Sequence, residues 1–168
     1  MKTAFIYTAA IVTLAACSRT SEVAAQTPVH WVVAPVQAVV RNGTVSNVKI
    51  DATIQPGWHI YSITQPPGGP YATRISVPAG QPFVAAGNPK ALLQPHVAFD
   101  SAFKMNVQLH EKAASFDVPV RFTGKAAAGK AATGDSVHVN VRYQVCNASL
   151  CLPPQTARLV APVQAGTR

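Results

Sequence analysis

The chain has 168 residues, 48% of them hydrophobic and 12% charged, with a formal net charge of +8. That is one domain's worth of sequence, too apolar and too weakly charged for an intrinsically disordered chain. Fourteen prolines and ten glycines among frequent Val and Thr favour strands and turns and argue against a helical bundle.

The first 16 residues read as a leader. Lys2 gives a positive start, Phe5 to Ala16 is a short apolar run, and Leu14-Ala15-Ala16-Cys17 matches a bacterial lipobox. The run is too short for a permanent membrane-spanning helix. In a lipobox the cysteine becomes the first mature residue and carries lipid, so Cys17 is expected to be a membrane anchor and not a thiol. An ordinary cleaved signal with a chance cysteine is the other reading. Ser18 is compatible with sorting to the outer membrane. Residues 17–28 form a small, polar tether, residues 29–163 the folded domain, and residues 164–168 a tail.

Trp31 to Val40 is apolar and β-rich, with Pro35 marking an edge strand or a bulge. Val48, Ile50, Ala52 and Ile54 alternate with Lys49, Asp51, Thr53 and Gln55, a two-faced strand. Gln55-Pro56-Gly57 turns the chain into Trp58 to Ser62, a second short strand. Gln65 to Pro70 is an irregular loop; Arg74 to Pro78 and Gln81 to Val84 are short strands. Pro95 to Phe103 reads as a loop containing His96, Val97, Phe99, Asp100 and Phe103. Met105 to Glu111 and Phe116 to Phe122 alternate again. Gly124 to Asp135 is a surface linker, and Ala157 to Val163 closes the domain. About eight short strands with regular turns and no strong helix predict an all-β sandwich.

Without the leader, 13 basic side chains face 6 acidic ones, for a charge of +7. The positives (Arg41, Lys49, Arg74, Lys90, Lys104, Arg121, Arg142, Arg158) are scattered, so nucleic acid is not an expected partner. Anionic lipid head groups or an acidic protein fit better.

The remaining two cysteines lie in Tyr143 to Thr156, YQVCNASLCLPPQT. Val137, Val139, Val141, Tyr143 and Val145 recur every second residue, Asn147-Ala148-Ser149 tolerates a turn, and Pro153-Pro154 ends regular pairing. A β-hairpin tip with Cys146 on one arm and Cys151 on the other brings the sulfurs within disulfide range. Outside the cytoplasm such a pair is oxidisable. The C-x4-C spacing is not the C-x-x-C of thioredoxin-like proteins, and no helix start is present to activate a thiolate. On spacing alone, a staple and an exchange-active bridge both remain open.

The hairpin resembles the active-site hairpin of the N-terminal periplasmic domain of the thiol:disulfide interchange protein DsbD. Gly57-Trp58-His59-Ile60-Tyr61 is similar to that family's glycine-aromatic segment, which sets two tyrosines beside the cysteines; Tyr61 matches the second and His59 replaces the first. Phe99 to Met105 occupies the place of the family's cap loop, with Phe103 as the capping ring and Asp100 as the acid. The resemblance covers roughly residues 29–163. It implies an immunoglobulin-like β-sandwich that relays electrons by thiol–disulfide exchange, without a bound cofactor or metal. By the same resemblance Cys151 forms the mixed disulfide with thioredoxin-fold partners and Cys146 resolves it. Asp100 near the pair would disfavour a thiolate, and a protonated His59 would favour it. Full-length relatives add a membrane electron channel and a thioredoxin-like domain. Here, separate periplasmic thioredoxin-fold proteins and a separate membrane electron carrier are the expected partners of a monomeric, lipid-anchored chain in a Gram-negative periplasm.

His30, His96, His110 and His138 have no metal-ligand spacing and read as surface or loop residues. Met105, His110 and the cysteines form a weaker soft-metal candidate for copper(I). A non-catalytic immunoglobulin-like module, docking protein or handling copper with a structural bridge, is the alternative from another class.

Overall fold

The computed structural model describes residues 27–38, 43–124 and 136–165. The leader, Cys17, most of the tether, nearly all of the Gly124–Asp135 linker and the last three residues lie outside the described residues. The strands in chain order are β1 (Val29–Val33), β2 (Val36–Ala38), β3 (Val45–Ile54), β4 (His59–Tyr61), β5 (Arg74–Ser76), β6 (Phe83–Ala85) and β7 (Lys90–Ala91). They continue with β8 (His96–Asp100), β9 (Met105–Glu111), β10 (Ala113–Phe122), β11 (Ser136–Tyr143), β12 (Val145–Cys146) and β13 (Gln155–Ala165).

Alternation along the long strands builds the core. Val48, Ile50, Ala52 and Ile54 of β3, and Phe116, Val118, Val120 and Phe122 of β10, point inward from a sheet ordered β1-β3-β10-β6, with β7 also on β10. Val137, Val139 and Val141 of β11, with Ala161 and Val163 of β13, meet them from a sheet ordered β2-β13-β11-β5. The outward positions between them, such as Lys49, Thr53, His138 and Arg142, are solvated. The described residues contain no helix, and the arrangement is consistent with an immunoglobulin-like β-sandwich.

A third sheet, ordered β12-β4-β9-β8, carries Cys146, and Cys151 is joined to its β12 edge by an isolated bridge. Strand β9 works on both faces. His110 points back to the main core, its ring edge-on to Phe116 at 5.5 Å, whereas Val107 and Leu109 join Tyr61 and Cys146 in a small separate cluster. His110 is therefore buried (3% exposed), not the surface residue its isolated position in the sequence suggested. Met105 packs against the small cluster, on the opposite face of β9 from His110, so the copper(I) set expected from these residues does not converge.

The turn Gln55-Pro56-Gly57-Trp58 closes through the Trp58 amide donating to the Gln55 carbonyl at 3.1 Å, with Gly57 at φ +81°. Proline followed by a residue at positive φ is the requirement of a type II turn. It delivers His59 directly into β4. Pro35 marks the point where the first apolar segment changes sheets: β1 is antiparallel to β3, and β2 is parallel to β13.

The described residues form thirteen strands where about eight were expected, chiefly because several pieces of two or three residues are too short for any period to show. The Pro95–Phe103 segment is not a loop. Its residues His96–Asp100 form β8, the edge partner of β9, with Val97 and Phe99 exposed at 64% and 68%. An edge strand exposed along one face has no buried alternation to announce it.

Candidate functional site

The strand leading into the cysteines changes sheets at Gln144. Tyr143 still pairs with Gln155 in β13, whereas Val145 pairs with Ile60 and Cys146 with His59 in β4. Tyr143 and Val145 are both buried, so the stem of the hairpin is fixed on either side of this crossing. Asn147 shapes the tip: its Oδ1 accepts the amides of Ser149 at 2.8 Å and Leu150 at 2.9 Å. Its own amide donates to the Leu150 carbonyl at 2.9 Å, and Leu152 donates to the Val145 carbonyl at 3.0 Å. The ladder places Cys146 opposite Cys151 with Cα atoms 4.0 Å apart, joined by a disulfide.

The two sulfur-bearing residues are not equivalent. Cys146 is 1% exposed and packs in the cluster with Tyr61, Val107 and Leu109, whereas Cys151 is exposed. Both line an open cleft of about 450 Å³ whose walls include His59, Tyr61, Phe99, Asp100 and Leu150.

The far wall is the β8–β9 turn. Asp100 organises it, with Oδ1 accepting the amides of Ala102 (2.9 Å) and Phe103 (3.3 Å) and Oδ2 accepting the Tyr61 hydroxyl at 2.8 Å. Lys104 completes the turn at φ +54°. Burial, then the bond to Asp100, push the Tyr61 phenol well above its ordinary value, so it stays a donor. Tyr61 is held from behind by Thr73, whose hydroxyl donates to the Tyr61 carbonyl at 2.6 Å. The Phe103 ring stands edge-on to Tyr61 at 6.3 Å and does not line the cleft. Phe99 lines it, four residues earlier, half a hairpin away from the ring expected there.

His59 stands edge-on to Tyr61 at 5.3 Å, in register with Cys146 on one side and Glu111 on the other. Burial lowers its pKa, against the upward pull of Asp100 and Glu111 and with a smaller downward push from His96. The imidazole is thus neutral near neutral pH, and the protonated form expected to favour a thiolate is disfavoured. Its Nε2 is buried without a hydrogen-bond partner.

The site therefore gathers Cys146, Cys151, His59, Tyr61 and Asp100 around one cleft, with Phe103 one ring removed. Phe99 and Leu150, exposed at 68% and 50%, add an apolar rim that sequence reasoning did not assign. Among the described residues, no three His, Cys, Asp or Glu side chains are placed to share a metal ion.

A family model described as thiol:disulfide interchange protein DsbD, N-terminal, matches residues 30–161. No curated protein and no solved structure matches the chain.

Proposed function

The chain belongs to the DsbD N-terminal family, and from that premise we propose that it relays electrons by thiol–disulfide exchange through Cys146 and Cys151. The family carries a thiol:disulfide interchange role. The observation that supports this mechanism is the unequal burial of the pair: one sulfur-bearing residue meets solvent and the other is enclosed. Exchange needs in-line access to one sulfur and a second thiol within reach to release the partner. Cys151 is the sulfur that forms the mixed disulfide, and Cys146 is the one that resolves it.

The wall facing the pair is the β8–β9 turn, anchored by Asp100 on Tyr61. Phe99 and Leu150 line the cleft with the exposed Cys151 and form an apolar rim for a docking thioredoxin-fold protein. Among the described residues no helix is long and apolar enough to cross a membrane. The domain works in the periplasm, held to a membrane by lipid on Cys17, and exchanges electrons with thioredoxin-fold proteins and a separate membrane carrier.

Trapping tests the assignment. In a Cys146→Ala variant, Cys151 is expected to form a stable mixed disulfide with an oxidised periplasmic thioredoxin-fold protein, whereas Cys151→Ala leaves an enclosed thiol that forms none. Failure of both variants to react, together with a reduction potential below about −300 mV, makes the bridge a structural staple in a non-catalytic module.

A further inference from the structure

We propose that His59 is the proton acceptor for the resolving thiol of Cys146, a role that rests on the relay reading above. Cys146 is only 1% exposed in the bridged form, so a protein group beside it is better placed than bulk water to take its thiol proton. Only the thiolate attacks a disulfide, so a base must stand beside it. The antiparallel register pairs Cys146 with His59, and directly opposite side chains lie about 5 Å apart at Cβ.

The other polar groups around the cleft are committed or remote. Asp100 is engaged with the Tyr61 hydroxyl and two turn amides. Tyr61 is a donor to that carboxylate. Glu111 pairs with His96 at 3.8 Å on the solvent side. Among the groups lining the cleft, His59 presents an unpartnered buried ring nitrogen, Nε2; the similar nitrogen of His110 belongs to the opposite face of β9. Burial favours the neutral imidazole, which carries a free lone pair, near neutral pH.

The sequence of steps balances. The Cys151 thiolate attacks a partner disulfide, forming a Cys151–partner bond and expelling one partner thiolate. Cys146 then gives its proton to His59 and attacks the Cys151 sulfur. The Cys146–Cys151 bond forms, the second partner thiolate leaves, and the imidazolium, a half-buried ring on the cleft wall, gives up a proton to water. The pair loses two electrons and the partner's disulfide gains them. In the opposite direction the imidazolium protonates Cys146 as it leaves.

Stopped-flow reaction of the reduced chain with 5,5′-dithiobis(2-nitrobenzoate) separates the two attacks, with Cys17 replaced by Ser so that only the pair reports. The first release of thionitrobenzoate depends on reagent concentration and reports Cys151. The second does not, and reports Cys146. His59→Phe, which keeps an aromatic ring against Tyr61, is expected to lower the ratio of second to first rate by about 100-fold at neutral pH, the lower end for a general base. In the parent chain the second rate rises through the imidazole's pKa, below 6.5, and is level above it; in His59→Phe it keeps rising into alkali. His59→Gln must behave as His59→Phe does. An unchanged ratio and an unchanged pH profile in both variants overturn the role of His59 and leave the relay intact. Absence of any first release from the parent chain overturns the relay and this role with it.

Discussion

The hydroxyl of Tyr61 is the most informative single group to remove, because it ties the turn that walls the cleft to strand β4. In Tyr61→Phe the 2.8 Å bond to Asp100 Oδ2 is lost while the ring and its contacts remain. A hydrogen bond to a charged group contributes roughly 1.5–3 kcal/mol. The lower end applies here, since Asp100 keeps two amide donors on Oδ1 and water from the cleft can reach Oδ2. A loss of about 1.4 kcal/mol multiplies the open fraction of the turn about tenfold. Cys151 is exposed with the turn in place, so attack of a small dithiol on it does not wait for that opening. The rate of disulfide reduction by dithiothreitol is therefore expected to stay at the parent value, while urea unfolding shows a comparable loss of stability. A rate raised about tenfold alongside that loss would show that the turn governs access, and would refute the open cleft.

Phe116 is fully buried between Trp31 and His110, so Phe116→Ala is expected to cost about 4 kcal/mol, read as a drop in the urea midpoint; a cost under about 1 kcal/mol would contradict this core. Burial lowers the pKa of both His59 and His110 below the ordinary 6.5 they regain on unfolding. The unfolded chain then binds more protons below that value, so stability is whole above 6.5 and declines as pH falls through the folded values. Urea titrations between about pH 5 and pH 8 should show this slope, reduced in His110→Leu.

What the sequence disclosed follows from which residues have two unlike faces. Val137 to Val145 and Val48 to Ile54 bury one face against another sheet, so their period of two survives in the amino-acid order. β8 has no such asymmetry: Val97 and Phe99 face solvent, and nothing distinguishes His96–Asp100 from a loop. That omission displaced the cap, because a residue's side in a hairpin depends on where the strand ends. The ring in the cleft is Phe99, and Phe103 packs on Tyr61 instead. The cysteine hairpin was legible because its spacing, its turn residues and the following prolines agree. The bond between Tyr61 and Asp100 spans 39 positions and leaves no local trace; only family resemblance brought those two residues together. The burial of His110 was invisible for a related reason: its one aromatic contact comes from the next strand, across a one-residue link at Lys112 with φ +63°.

The fixed stem of the hairpin has a consequence for the reduced protein. Val145 stays anchored in the core, and the Leu152–Val145, Asn147–Leu150 and Gln144–Leu152 hydrogen bonds do not depend on the sulfurs being joined. Cutting the bridge therefore leaves two thiols tethered face to face at high effective concentration, with little chain entropy to recover. Any adduct on the outer sulfur has its displacing neighbour already in position, so its lifetime is set by proton transfer and geometry and not by a search through the chain.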